Sequence, residues 1–262
     1  MKILLFAWSG FLALNLSINA DTHIRIQCHY DSYYNYGISV PEIDVINEYW
    51  IGESKIAFLT DKGKIIFDIN KKALAMVNAM TQAFIELSLP INFTEETAQD
   101  VRLLFEEDET GGSVQETGEK KKIGRWSCTG YLLKFWTAAR DIRFEDRIEK
   151  IWTTDSVAFD LNLYHYFHSI LYDLYHNLAH WENDFIHGLK EIKGIPVLRE
   201  SQFFIKGNPR NARMEIIEMR EKTPPENIYS IPSGYRKQQK LSRDFFNPFP
   251  FHSAWGILWI SE

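Results

Sequence analysis

One stretch, Asp160 to Leu189 (DLNLYHYFHSILYDLYHNLAHWENDFIHGL), constrains this chain more than any other. It holds no proline, and its one glycine is Gly188, so nothing in it stops a helix of about eight turns at roughly 3.6 residues each. Winding at about 100° per residue, Leu163, Phe167, Ile170, Leu171, Leu174, Leu178, Trp181 and Phe185 fall into one apolar stripe roughly 100° wide. A helix with one greasy face has to lie on something. The segments on both sides read as β-strands, so the expected support is a sheet.

Strand signals fill most of the remaining chain. Thr22 to Tyr30 alternates apolar and polar residues. Ile46–Ile51, Lys55–Thr60, Ile65–Asn70, Leu74–Met80 and Ala83–Leu87 follow as short runs separated by tight turns, the pattern of an antiparallel meander. Lys120–Trp136 and Phe144–Thr153 give a second set of strands. Ile195–Lys206 and Ala212–Glu221, joined at Gly207-Asn208-Pro209, give a third. Between the first and second sets, Glu95–Glu109 reads as an acidic helix ended by Gly111-Gly112. Its run Glu106-Glu107-Asp108-Glu109 lacks the alternating ligand spacing of a calcium loop and is expected to be a solvated face.

Residues 1–20 carry one charge, Lys2, then an apolar run of about a dozen residues and a polar break before Asp21. This is the layout of a secretory signal peptide, and the run is shorter than the roughly 20 residues that span a bilayer. A soluble periplasmic or secreted protein with no transmembrane segment after cleavage is the expectation. An apolar share of 45% excludes disorder, and a net charge of −6 leaves no basic footprint for nucleic acid. Cys28 and Cys128 fall on separate strands. In an oxidising compartment they are either a disulfide or two buried thiols.

On the helical wheel His165, His176, His180 and His187 gather opposite the apolar stripe. His176 and His180 are four apart, so with Asp184 and His187 they form a candidate Zn²⁺ or Cu²⁺ set. The segment His176-Asn177-Leu178-Ala179-His180 lacks the glutamate base of HExxH, and a solvated polar face is the plainer reading. No Gly-x-Ser-x-Gly, phosphate loop or dinucleotide fingerprint occurs. No catalytic residue and no cofactor is assigned, and the chain reads as a non-enzyme.

Several motifs, in order, carry a resemblance. They are Tyr49-Trp50-Ile51, then Ile65-Ile66-Phe67-Asp68 with Lys71-Lys72, the strand Thr81 to Leu87, Gly124-Arg125-Trp126-Ser127-Cys128-Thr129-Gly130-Tyr131, and Pro232-Ser233-Gly234-Tyr235. Together they resemble a secreted bacterial domain family of unknown function, similar in fold to the periplasmic lipoprotein carriers and receptors. The resemblance implies an α+β fold in which an antiparallel curved sheet, an open half β-barrel, is capped on its concave face by the long helix. It divides the chain into a signal peptide (1–20), a half-barrel domain (21–240) and an aromatic C-terminal tail (241–262).

It also implies a periplasmic carrier or binding protein for a lipid, lipopeptide, lipoprotein or other apolar ligand. Phe167, Ile170, Leu174, Leu178 and Trp181 would line the roof of its cavity or simply plug it. Two alternatives stand beside this one. A structural or interaction protein of the cell envelope would have a filled core and meet a partner through the tail, Phe245-Phe246-Asn247-Pro248-Phe249-Pro250-Phe251 with Trp255 and Trp259. The third is metal binding through the helix histidines.

Overall fold

A computed structural model describes residues 20–35, 38–99, 101, 108–139, 142–179, 181–205 and 208–245. The expected signal peptide, except Ala20, and the tail from Phe246 onward lie outside the described residues.

Strand β1 (Asp21–Tyr30) is the seam of one twelve-stranded sheet. It pairs antiparallel with β4 (Ile43–Ile51) on one side and β13 (Asn208–Lys222) on the other. Beyond β4 a meander continues through β5 (Lys55–Leu59), β6 (Gly63–Asp68), β7 (Ala73–Asn78) and β8 (Ala83–Ser88). Beyond β13 lie β12 (Ile195–Ile205), β11 (Ile142–Thr154), β10 (Trp126–Ala139) and β9 (Asp108–Ile123). The short β14 (Arg236–Lys237) adds to β8 in parallel, and β2 (Tyr33–Asn35) and β3 (Ile38–Val40) form a separate hairpin.

Side chains fix the meander's turns. Thr60 Oγ1 accepts from the backbone N–H of Lys62 and Gly63, Asp68 Oδ1 from Lys71, and Asn78 Oδ1 from Met80 and Thr81. These are the local bonds for which short polar residues are favoured in turns.

The architecture is α+β, an unclosed curved sheet with its longer helix inside the curve. Leu87 of β8 and Leu133 of β10 belong to one continuous core with Phe167 of the helix. Those strands stand nine places apart in the sheet, about 43 Å if it were flat, whereas a helix is about 10–12 Å across. Only a curled sheet brings both onto one helix.

The helical stretch differs from its expectation in one respect. It forms two helices, Leu161–Ala179 and Asn183–Lys190, not one. No breaker residue divides them. Trp181 makes a parallel bridge to Thr110 at the start of β9, the Glu182 N–H donates to the Thr110 carbonyl at 2.9 Å, and His176 Nδ1 lies 2.6 Å from the Trp181 carbonyl. A tertiary contact therefore ends the first helix. All eight stripe residues are buried despite the break.

The expected acidic helix and its glycine stop are corrected. Among the described residues of the predicted acidic helix only Glu95, Glu96, Gln99 and Val101 are helical, and β9 has already begun at Asp108. Gly111 and Gly112 are therefore strand residues. A Cβ on Gly112 would sit 2.3 Å from the Lys134 carbonyl and 2.7 Å from the Phe185 ring, so glycine is there to let the second helix lie close on β9. Cys28 and Cys128 are free buried thiols, on strands four places apart and in separate apolar clusters. Adjacent strands are about 4.8 Å apart, and a disulfide needs Cα atoms within about 7 Å.

The chain after β13 covers the convex face. Ile228, Tyr229, Ile231 and Tyr235 pack on Trp50, Ala57, Ile66, Ala75 and Val77. The Tyr229 hydroxyl donates to Asp21 Oδ2 at 2.5 Å. Leu241 and Phe245 then turn back into the main core, so the first residues of the expected tail are part of the domain.

The Gly112 contact gives a direct test. Gly112→Ala overpacks the seam between β9 and the second helix and is expected to cost about 1–3 kcal/mol, read as a lower urea midpoint. An unchanged midpoint would mean that the helix does not sit on that strand.

Candidate functional site

The long helix buries a wider arc than its apolar stripe. Tyr164, His168 and Tyr172, spaced four apart, form a second seam along the stripe's edge, and all three are buried. Tyr164 and His168 rings lie 4.3 Å apart centre to centre, and Tyr49 of β4 is 6.1 Å from both. This seam leans over the middle of the sheet without filling the space beneath it. A cavity of about 320 Å³ remains.

The cavity is assembled from distant parts of the chain. The long helix gives it the tyrosine–histidine seam with Ser169, the second helix adds Leu189, and the segment just after it adds Ile192. Ile195, Val197 and Arg199 come from β12, Ile216 from β13, Ile151 from β11, Ile26 from β1 and Tyr49 from β4. Exposed Tyr166 and Lys190 mark its solvent side. A mostly apolar wall with a few convergent polar groups is the usual composition of a small-molecule site.

One wall carries buried charge. In the register of β11 and β12, Ile151 faces Arg199, Glu149 faces Ser201 and Arg147 faces Phe203. Glu149 is fully buried. Its Oε1 lies 3.2 Å from Arg147 Nε and accepts from Ser201 Oγ at 3.0 Å, and its Oε2 lies 3.6 Å from Arg199 Nε. The Arg147 guanidinium also stacks 3.3 Å from the Phe135 ring centre. Arg199, 5% exposed, is the member that reaches the cavity.

Burial sets the protonation of the seam. It drives the His168 imidazole down to about 3, helped by the charges of His165 and Arg199, so His168 is neutral at physiological pH. Burial raises the phenols of Tyr49, Tyr164 and Tyr172, which stay protonated. The wall therefore offers neutral hydroxyl and imidazole groups beside one buried cation, Arg199. Cys28 is chemically quiet, because burial pushes its thiol up to about 12 against the charge of Arg199 and a 3.4 Å hydrogen bond from Asn47.

The residues singled out from the sequence sit elsewhere. Phe167, Ile170, Leu174, Leu178 and Trp181 are buried, but none lines the cavity. They plug the concave face beside it. Of the histidine set, His176 is half-buried against the Trp181 carbonyl, Asp184 and His187 are exposed on the second helix, and His180 lies outside the described residues. Among the described residues no three His, Cys, Asp or Glu side chains are grouped as a metal would require. The cavity residues left one trace in the sequence, the spacing Tyr164, His168, Tyr172 at i, i+4, i+8.

No protein-family model matches the chain, and no curated protein does. Among solved structures, it is similar to a domain described as an outer membrane lipoprotein-sorting protein, from Vibrio parahaemolyticus. The two share 7% identity over 80% of this chain and 88% of that one, with a TM-score of 0.27. A likeness that faint transfers nothing to this chain. No helix among the described residues is long and apolar enough to cross a membrane.

Two predictions follow from the wall and the seam. Glu149→Gln removes the charge that Arg147 and Arg199 both face and is expected to cost about 3–5 kcal/mol in urea unfolding. Glu200→Gln, at an exposed pair with Arg213, costs less than about 1 kcal/mol. Equal effects of the two would contradict the buried network. For His168, the unfolded chain takes up a proton near pH 6.5 and the folded chain only near 3. The stability tied to its neutral ring is complete above pH 6.5 and is lost as pH falls toward 3, at up to about 1.4 kcal/mol per pH unit. His168→Gln should flatten that acid slope between pH 6.5 and 4.5, and parallel slopes in variant and parent would place the imidazole in water.

Proposed function

We propose that this protein is a non-catalytic carrier that holds an apolar ligand between its long helix and the curve of its sheet. The observation behind the reading is the 320 Å³ cavity. Its volume falls in the range of about 300–1,000 Å³ typical of small-molecule sites, and its lining is predominantly apolar. Tyr164, His168 and Tyr172 bring hydroxyl and imidazole groups to its wall.

The amino-terminal signal layout supports a periplasmic or secreted site of action. A lipid or lipopeptide suits such a compartment and such a wall. Interaction through the aromatic tail rests on residues beyond Phe245, outside the described residues, and gains no support from the cavity.

The test uses delipidated protein and the neutral dye Nile red. One dye is expected to bind saturably per chain, with emission shifted to that of an apolar environment. Ser169→Trp, which projects an indole from the helix into the cavity, should weaken the dye by about tenfold or more while keeping the parent's urea midpoint. Absence of saturable binding, or binding that Ser169→Trp leaves unchanged, ends the carrier reading.

A further inference from the structure

We infer that the cavity takes a single-chain amphiphile with an anionic head, its acid group at Arg199 and its chain against Ile151, Ile192, Ile195 and Ile216. The inference rests on the carrier reading and adds to it the class of ligand and its orientation.

Size sets the number of chains. A methylene takes on the order of the ~30 Å³ that a water occupies in the liquid, so three acyl chains of about sixteen carbons need roughly 1,400 Å³. At the same ~30 Å³ per methylene, the cavity's 320 Å³ takes one chain to a depth of about ten carbons and leaves no room for a second.

Charge sets the head. Three permanently charged groups touch the cavity: Arg199, Lys190 and Glu215. Lys190 is exposed and bonded to Asp173 at 2.7 Å, and Glu215 is half-buried and paired with Arg213 at 2.8 Å. Arg199 alone of the three is buried, at 5% exposed. Its positive field reaches Tyr49, Tyr164, Tyr172 and His168, all of which line the same cavity. The negative charge of Glu149 is felt at Tyr172 and lies behind Arg199, off the cavity surface.

A cationic head would meet that field directly, and a neutral head would draw nothing from it. A carboxylate or a phosphate would receive a planar guanidinium together with the phenol donors, and charge-assisted bonds of this kind are roughly twice as strong as neutral ones.

The experiment measures displacement of Nile red from the delipidated full chain at pH 7.5 by four C12 compounds: laurate, dodecyl phosphate, dodecanol and dodecylamine. At least one of the two anions is expected to bind about tenfold or more tighter than dodecanol, at one molecule per chain, with dodecylamine weakest. Whichever anion is tighter identifies the head as carboxylate or phosphate. Arg199→Met should erase the preference between anion and alcohol. That substitution also leaves Glu149 without one of its cations, so if the variant does not fold, Tyr164→Phe is used, expected to lower the anion's affinity by a larger factor than dodecanol's; an equal loss for both overturns the inference.

Dodecanol equal to both anions, dodecylamine tighter than either, or two or more chains bound per protein would each overturn the inference while leaving the carrier standing. Failure of all four compounds and of Nile red to bind would remove the carrier itself.

Discussion

Burial of the helix stripe is the interaction on which the rest of the structure depends. Phe167, Leu174, Trp181 and Phe185 are almost fully removed from water, and each side chain of this size contributes about 1.5–3 kcal/mol on burial. Loss of two or three of them would rival the ~5–15 kcal/mol by which a domain is stable at all. The stripe also dictates shape. Both halves of the sheet bury against the same two helices, so the sheet must curl, and the seam at β1 is where its two meanders are joined into one surface.

The two halves solve the problem of a sheet's second face differently, and their sequences show it. In the β4–β8 half the segment after β13 covers the convex side, so β6 and β7 are buried on both faces. Their sequences, Ile65-Ile66-Phe67 and Leu74-Ala75-Met76-Val77, are continuous apolar runs. Continuous runs mark strands covered on both sides, whereas alternation marks a strand with one wet face. In the other half no described residue covers the convex side, and β13 sets exposed residues such as Arg213, Ile217 and Arg220 between buried Ala212, Ile216 and Met219.

Elements fixed by local chemistry were therefore legible in the sequence. The strands of the β4–β8 meander, most of those beyond β13 and the buried stripe follow from alternation, turn residues and helical periodicity, whereas β9 before Lys120 reads as helix and loop. What was not legible depends on partners far away in the chain. The helix ends at Ala179 because Trp181 and Glu182 meet Thr110, and no glycine or proline announces it. Gly111 and Gly112 look like a helix stop and are instead clearance, Gly111 for Glu182 and Trp136 and Gly112 for Lys134 and Phe185. The cavity was hidden for the same reason. Tyr164, His168 and Tyr172 carry polar atoms and lie outside the apolar stripe, so a wheel assigns them to water, and only the curl of the sheet turns that edge of the helix inward.

Arg147, Glu149 and Arg199 break the alternation rule most sharply, since they set charges on inward positions of adjacent strands. Such a network is a poor way to gain stability. Desolvating the ions costs several kcal/mol each, and apolar residues of similar volume often serve as well or better. A chain that keeps one beside a stretch of the concave face that is also left unfilled departs from good packing twice at the same place. Departures of that kind concentrate where a protein gives up stability for function. Here both converge on Arg199. The rest of the concave face, under Phe167, Leu174 and Leu178, is filled and uncharged among the described residues, as a part that only holds the fold together should be.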